Sequence, residues 1–121
     1  MIKSGQPRNQ RKFRFTAPMH SRQKFLHVHI SKELKAKLGT KRRTAQVRKG
    51  DTVKIMKGKY RGKTGKVNSV SLRANKIQID GVSRKTSKGK EILIPIYSSN
   101  TYLVDMDLSD KLRKEKIGAK Q

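Results

Sequence analysis

Residues 53–67 read V-K-I-M-K-G-K-Y-R-G-K-T-G-K-V, two short alternating apolar runs joined by a connection that carries Gly58, Gly62 and Gly65. Alternation with period two fits a strand and not a helix. The glycines let the connection take positive φ or lie against another backbone, so the segment is expected to fold as a hairpin held close to its neighbours. Lys57, Lys59, Arg61, Lys63 and Lys66 surround the same turn. Fold signal and positive charge coincide, and a phosphate backbone suits such a surface.

The β pattern continues from residue 46 to 108. Candidate strands lie at 53–56, 65–72, 76–80, 91–95 and 102–107, all rich in β-branched or aromatic residues. Turns separate them: Arg48-Lys49-Gly50-Asp51, the reversal Arg73-Ala74-Asn75, and a basic tip from Arg84 through Lys85 and Lys88 to Gly89. So many short strands in so little chain predict a mainly β fold, a small barrel that closes on itself and limits free edges. Its expected core is Val53, Ile55, Val67, Val70, Leu72, Ile77, Ile79, Ile92, Ile94, Leu103 and Val104.

The flanks read differently. Residues 1–17 are basic and rich in Gln and Asn, with Phe13 and Phe15 as large apolar anchors; the alternation of these rings with cations predicts an extended arm, packed on the domain or stacked on unpaired bases. After Pro18 a helical turn capped by Ser21 leads into a strand at Val28 and Ile30. Ser31 then caps a short helix with Leu34 and Leu38 four apart and Gly39 at its stop. A basic loop, T-K-R-R-T-A, returns the chain to the β region, and Ser109-Asp110 begins a short terminal helix. The expected division is a basic extension over 1–45, a barrel over 46–108 and a helical tail over 109–121.

Charge narrows the partner. The formal net charge is +24, from 32 Lys+Arg against 8 Asp+Glu. Residues 1–50 hold 15 basic and 1 acidic side chain, residues 51–100 hold 12 and 3, and residues 101–121 hold 5 and 4. Solubility asks for a net charge of about 2–8 in a small domain, so this excess is matched to a polyanion that neutralises it. With 32% hydrophobic residues the chain supports one small core.

Catalytic chemistry finds little support. The chain has no cysteine, hence no disulfide, thiolate nucleophile or thiolate ligand. His27 and His29 share one face of a strand, with His20 nearby, but without a carboxylate or thiolate beside them they read as RNA contacts or packing. Asp105 and Asp107 read as solvent-facing and Asp110 as a helix cap. Residues 58–64 approach a nucleotide-binding loop, yet leave three residues between the glycines where four are required and precede a strand, not a helix. No enzyme, cofactor, metal or small-molecule substrate is expected. No apolar run approaches the ~18 residues of a membrane span, and no signal-peptide core is present, so a soluble, intracellular protein is expected.

The string from Gly50 to Val67 resembles the KOW motif of ribosomal proteins and transcription elongation factors, with Gly65 at its central glycine. Q-P-R-N-Q-R-K (6–12), A-P-M-H-S-R (17–22), I-S-K-E-L-K-A-K-L-G (30–39) and S-N-T-Y-L-V-D-M-D-L-S-D (99–110) narrow the likeness. Together they resemble the family of archaeal large-subunit ribosomal proteins numbered twenty-four in the universal naming, related to the eukaryotic form, over about residues 6–115. The resemblance implies a Src-homology-3-like barrel with an N-terminal extension. It further implies a cytoplasmic, ribosomal location and binding to large-subunit ribosomal RNA near the exit of the peptide tunnel. Neighbouring ribosomal proteins and factors docking at that exit would be its other partners, and early subunit assembly a further role.

The expected RNA contacts are Arg8, Arg11, Lys12, Arg14, His20, Arg22 and Lys24 on the arm, and Lys41, Arg42 and Arg43 on the loop. Lys57, Lys59, Tyr60, Arg61, Lys63 and Lys66 follow on the hairpin, and Arg84, Lys85 and Lys88 at the tip. Two other readings fit parts of the pattern: a KOW module of an elongation factor contacting polymerase and transcript, and a DNA-compacting chromosomal protein.

Overall fold

The computed structural model describes residues 3–118; residues 1–2 of the expected extension and 119–121 of the expected tail lie outside the described residues. The chain runs α1 (Pro7–Thr16), α2 (Met19–Phe25), β1 (His27–Ile30), α3 (Lys32–Leu38), β2 (Thr44–Gln46), β3 (Thr52–Ile55) and β4 (Thr64–Ser71). It continues through β5 (Lys76–Lys85), β6 (Glu91–Tyr97), a 3₁₀ turn (Ser98–Asn100), β7 (Thr101–Asp105) and α4 (Lys111–Ile117). The strands form one mixed sheet in the order β2-β1-β7-β3-β4-β5-β6.

Bent strands give this sheet its barrel-like curvature. β4 pairs with β3 through residues 64–66 and with β5 through residues 67–71, with a register shift between Val67 and Ser69. β5 bends in turn at Gly81, whose φ is +79°, and its pairing with β6 shifts register between Gln78 and Ser83. Such bulges are how a strand turns a corner between two parts of a sheet.

Gly65 stands opposite Val53 where β4 crosses β5. A Cβ there would lie 2.5 Å from the Asp80 carbonyl oxygen and 2.7 Å from Ile79 Cγ2. Close approach, and not positive φ, requires glycine at this position. Gly58 and Gly62 are the reverse case: φ is +95° and +89°, with open space where a side chain would go.

The expected strands are all present, and six of the expected core residues, Val53, Ile55, Val67, Ile77, Ile79 and Leu103, are buried. Val70, Leu72 and Ile94 pack against that core half-buried, and Val104 is half-buried. Ile92 is a correction: it lies on the edge strand β6 and is 53% exposed. The core also reaches into the N-terminal segment. Leu26, Val28, Ile30, Leu34, Leu38 and Ala45 join it, with Ile117 from α4. β1 pairs antiparallel with β2 and parallel with β7, so the first 45 residues supply part of the sheet, and the division at 45/46 falls within β2.

The arm is a second correction. Residues 7–16 form a helix, not an extended segment. Pro7 occupies its first turn, where a missing N–H costs nothing, and the Arg, Lys and Gln that follow are good helix formers. Two phenylalanines cannot define a period: Phe13 meets the edge of Phe25 at 6.1 Å between ring centroids, while Phe15 is 71% exposed. The next helix begins after Pro18, with Ser21 inside it and not at its cap. α3 follows the expected pattern, its Ser31 Oγ accepting from Leu34 N at 3.1 Å and Gly39 closing it at φ +60°.

Candidate nucleic-acid interface

The outward face of the sheet is built by register. β1 turns Val28 and Ile30 inward and leaves His27 and His29 outside. His29 pairs with Thr44 on one side and Tyr102 on the other, Tyr102 with Lys54, and Lys54 with Thr64. A row of polar and aromatic side chains thus crosses adjacent strands. The His29 and Tyr102 rings lie 5.7 Å apart and tilted by 54°, with Tyr102 40% exposed. Lys66 stands on the same face, opposite Thr52. His29 was expected to contact RNA or pack, whereas Tyr102 and Lys54 were not among the expected contacts; pairing across β1, β7 and β3 is a long-range relation that no local pattern announces.

The glycine connection between β3 and β4 is tied down by backbone hydrogen bonds. Gly62 N donates to Ile55 O at 2.8 Å and Ile55 N to Lys63 O at 2.9 Å. This leaves Lys57, Lys59, Arg61 and Lys63 exposed on a fixed frame. Tyr60 is half-buried against the core, and Lys63 Nζ sits 5.5 Å from its ring centroid. The connection leans on the end of β6, where Lys57, Gly58 and Tyr60 share a cleft of about 250 Å³ with Pro95, Tyr97 and Asn100.

The 3₁₀ turn links this region to the N-terminal helices: Asn100 O accepts from Met56 N at 2.8 Å, and Ser98 Oγ donates to Phe25 O at 3.2 Å. Arg8, Arg11, Lys12 and Arg14 line the exposed α1, and His20 and Lys24 the exposed side of α2. Arg14 extends over Phe25, 5.9 Å from its centroid. Arg22 is committed internally, its guanidinium donating to Ala17 O at 2.8 Å and to Phe15 O, the carbonyls that end α1.

Arg84, Lys85 and Lys88 do not join the glycine connection. Arg84 and Lys85 belong to β5 and pair with Ile92 and Glu91, so they sit at the start of β6, while the glycine connection sits at its end. Seven strand residues separate the two, roughly 20 Å at the usual rise.

Lys41, Arg42 and Arg43 precede β2 and are exposed, but their loop is anchored. The buried Thr40 hydroxyl donates to Ile117 O and accepts from Arg42 N, and Arg43 O accepts from Ile30 N at 3.0 Å. Arg42 borders a cleft of about 170 Å³ between β2 and α4, shared with His27, Arg48, Arg113 and Lys116. The His27 imidazole is held below its ordinary pKa by partial burial first, then by Arg42 and Lys24.

Three of the acids, Asp51, Asp107 and Asp110, hold the fold together. Asp51, expected in a turn, is fully buried and paired with Arg113 at 2.6 Å, and Asp110 caps α4 while pairing with Arg48 at 2.6 Å. Asp110 titrates below the usual carboxylate range, chiefly through the Arg48 hydrogen bond, and Asp107 does so through hydrogen bonds from Ser109. Among the described residues no group of three or more His, Cys, Asp or Glu is placed to hold a metal ion, and no described helix is long and apolar enough to cross a membrane.

Residues 4–120 match the family model of the ribosomal proteins called L26 in eukaryotes and L24 in archaea. The chain belongs to this family. It is 45% identical over 112 residues to the large ribosomal subunit protein uL24 of Pyrobaculum islandicum, covering 93% of this chain and 89% of that protein. It is 46% identical over 114 residues to the uL24 proteins of Methanosarcina barkeri and Methanospirillum hungatei, covering 94% of this chain and 97% and 93% of theirs. Family and fold agree with the resemblance carried by the KOW string.

Proposed function

We propose that this protein is a structural constituent of the large ribosomal subunit that binds large-subunit ribosomal RNA, beside neighbouring ribosomal proteins, and that it acts as a scaffold and not as an enzyme. The observation that carries the reading is charge left unneutralised. The described residues form two ion pairs, Arg48–Asp110 and Asp51–Arg113, in a chain with 32 Lys+Arg. The remaining cations are spread over α1, α2, the loop before β2, the outward sheet face and both β connections, so a folded polyanion that touches several sides fits better than a single rod. The names of the matched relatives support the same partner, and they favour it over an elongation-factor module.

In this reading residues 1–45 anchor the protein through α1, α2 and the Lys41–Arg43 triplet, while the sheet and the glycine connection dock on RNA already folded. A position near the tunnel exit on the cytoplasmic ribosome, a role in early assembly and an exposed face open to docking factors follow from family membership. Phosphate contacts would dominate affinity. With roughly six to ten phosphates neutralised, binding should weaken about 10³–10⁵-fold between 50 and 200 mM salt. The test is competition at matched salt: unlabelled large-subunit ribosomal RNA should displace a bound large-subunit fragment far better than duplex DNA of equal phosphate content. Equal displacement by the two would favour a chromosomal protein.

A further inference from the structure

The cleft between β2 and α4 is more than a gap in the surface. Its lining includes His27, Arg42, Arg48, Arg113 and Lys116, and no carboxylate among the described residues lines it. Two of these cations are already balanced, Arg113 by Asp51 and Arg48 by Asp110. His27, Arg42 and Lys116 have no acidic partner among the described ion pairs. The Thr40 hydroxyl joins Arg42 N to Ile117 O, so the strand-side and helix-side walls are fixed relative to each other before anything binds.

We propose that this cleft is a phosphate site, holding one backbone phosphate of an RNA strand between Arg42 and Lys116, with His27 as a third donor. Its size suits the assignment: about 170 Å³ admits a phosphate with its ester oxygens and part of a ribose. Its chemistry does too, since a planar guanidinium and an ammonium are the usual pair for a phosphate oxygen set. Partial burial lowers the affinity of His27 for a proton, and the adjoining Arg42 and Lys24 lower it further, so positive charge is crowded at this wall. The site rests on the ribosomal RNA reading for the source of the phosphate, but its existence can be tested alone.

The experiment uses the full chain, labelled with ¹⁵N, titrated at constant ionic strength with inorganic phosphate, with chloride and with a short single-stranded oligoribonucleotide. Saturable shifts at the Thr44, Ala45 and Gln46 amides and the His27 ring, with phosphate and oligoribonucleotide but not chloride, are expected. The pair Arg42→Gln and Lys116→Gln should weaken both at least tenfold, while the amides of Val67 and Ile79 stay in place and report an intact fold. Shifts that chloride reproduces, or that survive in the double variant, would overturn the site. Phosphate binding tighter than oligoribonucleotide binding would reassign it to a free anion and overturn the proposal. Specific phosphate binding in a protein that fails the competition against duplex DNA would leave the cleft standing and remove the ribosomal reading.

Discussion

Asp51 accepts both terminal nitrogens of Arg113, Nη1 at 2.7 Å and Nη2 at 2.6 Å, with neither side chain open to solvent. The same carboxylate accepts from Arg48 N at 2.8 Å and Asp107 N at 3.2 Å, and Arg113 also donates to Asp107 O and Gln46 O. One buried pair thus fastens the start of β3, the end of β2, the chain after β7 and α4. Arg113→Ala leaves a buried carboxylate without its partner, which costs about 3–5 kcal/mol. Thermal unfolding of the variant should shift down by about 10 °C or more. A loss of under about 3 °C would mean that α4 contributes little to the fold.

The glycines of the central motif should separate by cause. Gly65→Ala drives a Cβ into the Asp80 carbonyl, a backbone group that cannot rotate away, and Gly65→Val worsens the clash. Gly58→Ala meets open space and incurs the positive-φ penalty alone, about 1–2 kcal/mol. Denaturant unfolding should rank Gly65→Val as most destabilised and Gly58→Ala as least. An equal cost for Gly65→Ala and Gly58→Ala would remove close approach as the reason for Gly65.

The strands and the short capped helix were legible because their signals are local: alternation, turn residues, a serine before an apolar i, i+4 pair. What stayed hidden was set by distance along the chain. Asp51 looked like an ordinary turn residue because its partner lies 62 residues away. The sheet row through His29, Tyr102 and Lys54 depends on a parallel pairing of β1 with β7 that no hairpin rule supplies. α1 departs from the expected extended arm because Phe13 and Phe15 are too few to fix a period, and the helix propensity of the cations around them carries more weight. The basic residues of the candidate interface were visible as charge, but sequence could not separate Arg22, which caps α1, from Arg42, which lines a cleft.

His27 offers a pH readout of the cleft. Its folded pKa lies below the ordinary 6.5, so the unfolded chain binds the proton more readily. Stability contributed by the neutral ring is complete above 6.5 and is lost as pH falls through the interval beneath it. The charged groups facing the ring are Arg42 on the loop before β2, Lys24 on α2, Arg48 after β2, and Arg113 and Lys116 on α4. In a ring-proton titration Arg42→Gln should raise the His27 pKa, and bound phosphate should raise it further. An unchanged midpoint in both cases would show that Arg42 and the anion lie out of range.

Charge reversal on the anchored loop separates binding from folding. Arg42→Glu with Arg43→Glu should leave the melting temperature within about 2 °C, since neither side chain is buried and neither forms an ion pair in the described structure. The same variant should bind large-subunit ribosomal RNA at least tenfold more weakly at moderate salt, with a log–log salt slope shallower by about 2. Unchanged affinity and slope would assign the loop to solvent.

In the proposed role a folded ribosomal RNA neutralises this protein on several sides at once. Cross-linking the full chain to large-subunit ribosomal RNA, followed by mapping of the attached peptides, tests it most directly. Cross-links are expected from α1 and α2, from the loop at residues 41–43 and from the glycine connection at residues 57–66, all on large-subunit RNA and all lost together at high salt. Cross-links confined to one of these elements, or distributed equally over unrelated RNA of the same length, would contradict it.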